Sequence, residues 1–97
     1  MLSEKKKLMQ IFFRVKPAEL LLSLREGPKY AAIISKETDC TYSHTIKLLE
    51  TFNKLGLLTF EKTGRKKIVR LTSTGQTIAN AIYSILMKLP RVKEGKT

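Results

Sequence analysis

Acidic side chains are scarce in this sequence: eight Asp and Glu stand against 19 Lys and Arg, a formal net charge of +11 over 97 residues. Cys40 is the only cysteine, so no intrachain disulfide and no cysteine-based zinc site can form. His44 is the only histidine and has no second imidazole with which to share a metal ion. Paired carboxylates, a Ser/His/Asp set, a phosphate-binding glycine loop and a ligand cluster are all missing. Neither catalysis nor a metal or other cofactor is therefore expected. No apolar run approaches the ~20 residues that span a bilayer, so no membrane partner is expected. The basic start through Lys7 is followed by Gln10, Arg14 and Lys16 without a small-residue cleavage site, which does not read as a signal peptide. Repeats and low-complexity tracts are lacking, as is any evident pair of aromatics suited to stacking on bases. A reducing, cytoplasmic setting fits these absences.

The rest of the composition is ordinary. Hydrophobic residues make up 42% and charged residues 28%, enough for one domain with a single core. The surplus of cations implies an anionic partner, nucleic acid being the commonest for a small domain. The alternative is a generally basic protein, as in ribosome-associated or thermophile chains.

The most informative stretch is 41–56. It has a hydroxyl cap in Thr41 and an apolar stripe of Ile46, Leu49, Phe52 and Leu55. The opposite face carries the donors Ser43, His44, Lys47, Thr51 and Lys54, and Gly56 supplies a stop. Glu50 is its only acid. A helix that anchors by one face and offers donors on the other suits a nucleic-acid groove.

Upstream, residues 3–7 are polar and basic and expected to fray at their start, and Leu8, Ile11, Phe12 and Val15 predict a short helix over 8–15, with Phe13 off its face. Pro17 suits the first turn of a helix that runs to Arg25 with Leu20, Leu21 and Leu24 inward, and Gly27-Pro28 ends it. A helix over 30–38 follows, then a short turn through Asp39 and Cys40. Cys40 reads as a small buried spacer; a redox role beside Lys36 is the alternative. Two helices joined by a tight turn make a helix-turn-helix. After Gly56, the runs 57–62 and 67–71 flank Gly64 and predict a β-hairpin, with Leu58, Phe60, Val69 and Leu71 on the inward face. Its tip gathers Lys62, Arg65, Lys66 and Lys67. Thr72 to Gly75 offers cap candidates for a last helix over 74–89 with Ile78, Ala79, Ile82, Ile85, Leu86 and Leu89 as its stripe.

This order resembles the winged helix-turn-helix domain of prokaryotic transcriptional regulators, in particular small archaeal ones and the MarR-like group. The resemblance spans 17–89. It rests on Thr41-Tyr42-Ser43-His44 opening the recognition helix, Leu55-Gly56-Leu57-Leu58 closing it, and Leu71-Thr72-Ser73-Thr74-Gly75 after the wing. The long flanking helices of MarR-like proteins are reduced here to 8–15 and 74–89. The resemblance implies an α+β, mostly helical fold: a three-helix core, a two-stranded β-hairpin wing and a C-terminal dimerisation helix. It is one domain over 1–97, with its core at 17–72, its last helix at 74–89 and a mobile basic tail at 90–97.

The implied function is a transcriptional regulator that binds double-stranded DNA, cytoplasmic and nucleoid-associated. The recognition helix, 42–55, would enter the major groove and the basic wing, 59–71, would lie on the backbone or minor groove. Candidate DNA contacts are Tyr42, Ser43, His44, Thr45, Lys47, Thr51 and Lys54 on the helix, and Lys62, Arg65, Lys66 and Lys67 on the wing. None of the helix positions is an Arg or Gln, so modest sequence selectivity is expected. Ile78, Ile82, Ile85 and Leu89 step by 4, 3 and 4, a coiled-coil seam. With Leu86 they are the expected homodimer contact, helped by 8–15. Competing readings are an architectural DNA binder of low specificity, a protein-interaction module, and an RNA binder.

Overall fold

Helix stops and caps written into the sequence set the chain's path. The computed structural model describes residues 2–91. Among them run α1 (Leu2–Phe12), α2 (Val15–Arg25), β1 (Lys29–Tyr30), α3 (Ala31–Glu37), α4 (Tyr42–Lys54), β2 (Leu58–Thr63), β3 (Lys66–Leu71) and α5 (Ser73–Lys88), closed by a 3₁₀ turn over Leu89–Arg91. The tail expected at 90–97 lies, from 92 onward, outside the described residues.

The first helix is displaced from its expected position. It spans Leu2–Phe12, so the helix begins ahead of Leu8, and it ends before Val15, which opens α2 instead. Val15 is 70% exposed and does not share a face with Ile11 and Phe12. Phe12 stacks on Phe52 with ring centroids 5.8 Å apart, docking α1 onto the buried side of α4. Pro17 sits in the first turn of α2, and Leu20, Leu21 and Leu24 are buried, as the pattern requires.

The two helices of the helix-turn-helix are joined by a hydrogen-bonded stop. At the end of α3, Asp39 takes a left-handed φ of 50°. The Cys40 amide donates to the Ser35 carbonyl at 2.9 Å, and that of Asp39 to Lys36 at 3.2 Å. This is the Schellman pairing that satisfies orphan carbonyls at a helix end. The same pairing ends α4: Leu57 donates to Phe52 at 2.9 Å and Gly56, at φ 77°, to Asn53 at 3.0 Å.

The two sequence pieces that flank the wing meet in space. The Thr72 hydroxyl donates to the Gly56 carbonyl at 2.7 Å and accepts from the Gly75 amide at 3.1 Å, capping α5 while tying it to the end of α4. The Thr72 amide donates to the Leu57 carbonyl at 2.9 Å. Gly75 packs so closely on that carbonyl that a Cβ at 75 would lie 1.9 Å from its oxygen. Leu-Gly-Leu and Leu-Thr-x-x-Gly are therefore two halves of one junction.

The hairpin has the expected faces. Leu58 pairs with Leu71 and Phe60 with Val69, with Leu58 and Val69 fully buried. Gly64, the first residue of the two-residue loop, has φ 64°, as primed hairpin turns need at that position. The sheet is larger than expected, however. β1 pairs antiparallel to β3, Tyr30 opposite Ile68, giving three strands in the order β1-β3-β2 where two were expected. A two-residue strand is too short to show alternation.

The core joins Leu20, Leu21 and Leu24 to Ile34, Leu49, Phe52, Leu58, Val69 and Ala79. Its last member belongs to α5, whose first half packs along α2. Arg25 fastens the pair, its guanidinium 3.8 Å from the centre of the Tyr83 ring and its Nε donating to Asn80 at 2.8 Å. No helix among the described residues is long and apolar enough to cross a membrane.

Candidate nucleic-acid interface

The N-terminus of α4 is built by Thr41, whose extended backbone stops the helix and whose hydroxyl accepts from the His44 amide at 3.2 Å. Residues at 100° per step then sort into faces. Thr45, Leu49 and Phe52 are fully buried, and Ser43, Lys47, Glu50 and Lys54 form the exposed row opposite. The expected apolar stripe is thereby corrected. Steps of three drift 60° each, so Ile46 and Leu55 fall at its two edges. Ile46 is half-buried and Leu55 40% exposed.

Thr45 is a second correction. It was expected to contact DNA, yet it has no exposure and its hydroxyl donates to the Thr41 carbonyl at 2.9 Å, one turn back. Thr51 is half-buried, donates to the Lys47 carbonyl at 3.0 Å, and lies on the flank facing α1, beside Lys7, Gln10 and Arg14. It is not grouped with the exposed row. Ser43, His44, Lys47 and Lys54 are all exposed, and Glu50 places one acid among them.

On the other flank Tyr42 reaches the wing. It is 51% exposed and shares a cavity of about 250 Å³ with Tyr30, Arg65, Lys66 and Lys67. The start of α4 and the tip of the hairpin are thus neighbours. Tyr30 was not anticipated as a site residue; its only sequence signal is an aromatic next to the Gly27-Pro28 turn.

The wing concentrates charge at a cost. Lys62 lies directly across from Lys67, an unfavourable like-charge pair unless an anion joins them. Aromatic rings hold two of these cations: the Lys66 ammonium lies 4.9 Å from the centre of Tyr30 and that of Lys67 5.3 Å from Phe60. At the wing base Arg70 pairs with Glu61 at 3.6 Å.

Other cations are committed to the scaffold. Lys16 donates to the Thr38 carbonyl at 2.6 Å, bracing the turn before α4. Lys29, largely buried, bonds Glu37 at 2.5 Å and Glu26 at 3.1 Å. Burial pushes its ammonium pKa down, but the hydrogen bonds to Glu37 and Glu26 outweigh this and leave it above the ordinary lysine value. In turn the Lys29 bond, aided by Ser23, holds the Glu37 carboxyl below its usual range.

The expected dimer contacts divide. Ile78 and Ile82 already pack against the core of this chain, whereas Ile85, Leu86 and Leu89 are 52%, 39% and 52% exposed. Together with Phe13 and Val15, Ile85 and Leu86 line a mostly apolar hollow of about 530 Å³ between the α1–α2 corner and α5.

No family model matches the chain. An uncharacterized protein of Archaeoglobus fulgidus is 30% identical over 83 residues, which cover 80% of this chain and 87% of that protein. The crystal structure of AF1382 from Archaeoglobus fulgidus aligns with a TM-score of 0.74 at 28% identity, over 80% of this chain and 91% of that one. The MarR family transcriptional regulator SPO1453 from Silicibacter pomeroyi aligns with a TM-score of 0.71 at 18% identity, over 88% of this chain and 63% of the regulator. The chain belongs to one family with the uncharacterized Archaeoglobus fulgidus protein, and its fold is the winged helix of the MarR-like type.

Proposed function

We propose that this protein is a transcriptional regulator that binds double-stranded DNA as a homodimer, in the cytoplasm and on the nucleoid, and is not an enzyme. The observation that carries the reading is the shared cavity wall between Tyr42, at the start of α4, and Arg65 to Lys67, at the wing tip. A helix about as wide as the ~12 Å major groove stands beside a cationic arm able to follow the backbone. Ser43, His44 and Lys47, near the helix start, face base edges, and Lys54 extends the row. Tyr42, Lys62, Arg65, Lys66 and Lys67 take phosphates, which position the protein without reading sequence. The likeness to a MarR family regulator supports this assignment.

The exposed half of α5 and the hollow beside it are assigned to a second copy of the chain. The 78, 82, 85, 89 spacing of a coiled-coil seam supports that occupant. Two recognition helices about 34 Å apart would match successive major-groove faces of a palindrome.

One observation favours a second reading, an architectural binder of low specificity: the exposed row of α4 has no Arg or Gln for bidentate base contact and includes Glu50. Replacing Ser43, His44 and Lys47 together by Ala separates the two. A regulator changes its preferred sites; an architectural protein loses affinity uniformly on all sequences. Duplex binding that ignores salt, or no duplex binding, would leave the protein-interaction module as the reading.

A further inference from the structure

The cavity between wing and recognition helix has an apolar floor, which a track for phosphates does not require. Ala31 and Ile33 line it, together with the rings of Tyr30 and Tyr42. Arg65 and Lys66 supply its charged side, since the Lys67 ammonium lies over Phe60 on the other face of the hairpin. One tyrosine is engaged, since Lys66 sits over Tyr30. The other, Tyr42, keeps 51% exposure, so an open ring stands beside a held cation. At about 250 Å³ the cavity has room for one nucleoside. An intact duplex can offer it sugar, phosphate and base edges but no free base face, because the bases are stacked inside. An unstacked nucleotide offers both a flat apolar ring and an anion.

We propose that this notch is a binding site for single-stranded DNA: one unpaired base stacks on Tyr42 and its phosphate meets Arg65 and Lys66. Lys67 and its cross-strand partner Lys62 point to the other face of the hairpin, where the Lys67 ammonium lies over Phe60. Arg65 and Lys66, adjacent at the hairpin tip, can meet consecutive phosphates, which favours a strand over a free mononucleotide. Stacking on an aromatic beside a cationic groove is how single strands are held without sequence preference. The aromatic pair escapes a reading of the sequence because Tyr30 and Tyr42 stand twelve positions apart and belong to a short strand and a helix. The site goes beyond the duplex reading and does not depend on it.

The test compares two fluorescein-labelled single strands, a twelve-nucleotide oligothymidylate and an abasic strand of equal length and charge, titrated by anisotropy at low salt. Both offer the same phosphates, and only the first offers bases. One stacked base is worth roughly tenfold in affinity. Wild type and Tyr42→Phe should therefore prefer the oligothymidylate by about that factor, and Tyr42→Leu, with an unchanged circular dichroism spectrum, should bind the two alike. Equal binding of both strands by wild type, or a preference that survives Tyr42→Leu, would overturn the proposal. Duplex binding by the same samples is scored separately, so the loss of one reading is not mistaken for the loss of the other.

Discussion

At the scale of single residues, Gly75 is constrained by space. Its Cα lies against the Leu57 carbonyl, and backbone cannot move aside as a flexible side chain can. Gly75→Ala should destabilise the protein by about 3 kcal/mol, the upper range for overpacking, measured as a lowered midpoint in urea. Glu37 makes a pH-dependent contribution. Its bond to Lys29 holds its folded pKa below the unfolded value, so its stabilisation is present above the unfolded pKa and lost as pH falls through the folded one. Lys29, with a raised folded pKa, keeps its share through neutral pH and loses it only as pH rises past the ordinary lysine range. Thermal melts of Glu37→Gln should show a lower Tm than wild type at pH 7 and no difference once both are acidified below the carboxylate range. A constant difference across that range would mean that the ion pair is not its source.

At the scale of elements, the proposal gives duplex binding to the wing and α4, and assembly to α5. If one subunit's wing and recognition helix neutralise ~4–5 phosphates, log K for duplex should fall with log salt at a slope of about −4, doubled for a dimer. Replacing Arg65, Lys66 and Lys67 by Gln should flatten that slope by about 3 per subunit on every sequence tested. For α5, the test must spare the half that belongs to the core, where Ala79 is fully buried. Ile85→Glu with Leu89→Glu, both at exposed positions, should give a folded monomer by light scattering; an unchanged mass would remove α5 from the dimer. The elements differ in how legible they were in the sequence. Thr41, Gly56, Thr72 and Gly75 carry caps and stops whose chemistry is local, so α4, the hairpin and the start of α5 could be read directly. β1 could not, because two residues show no period and its pairing with β3 is made at a distance of nearly forty residues. The ends of α1 were missed because Leu8, Ile11, Phe12 and Val15 satisfy one helical face even though the chain bends at Phe13 and Arg14. Thr45 was misjudged because a hydroxyl reads as polar until its donation to the Thr41 carbonyl is seen.

At the scale of the whole molecule, some of the sequence's cations brace the scaffold and others gather at one surface. Lys16, Lys29 and Arg25 brace the scaffold, while Lys47, Lys54 and the wing cations remain at the surface. The fold thereby presents a cationic front made of a helix row and a hairpin tip. On the proposed function, this front reads duplex DNA. That reading is tested most directly by selecting bound sequences from random duplex DNA at two salt concentrations. A palindromic motif enriched at both, with overall affinity falling steeply at the higher salt, is the expected result. Recovery of no duplex at either salt, or recovery that is indifferent to salt, would contradict it.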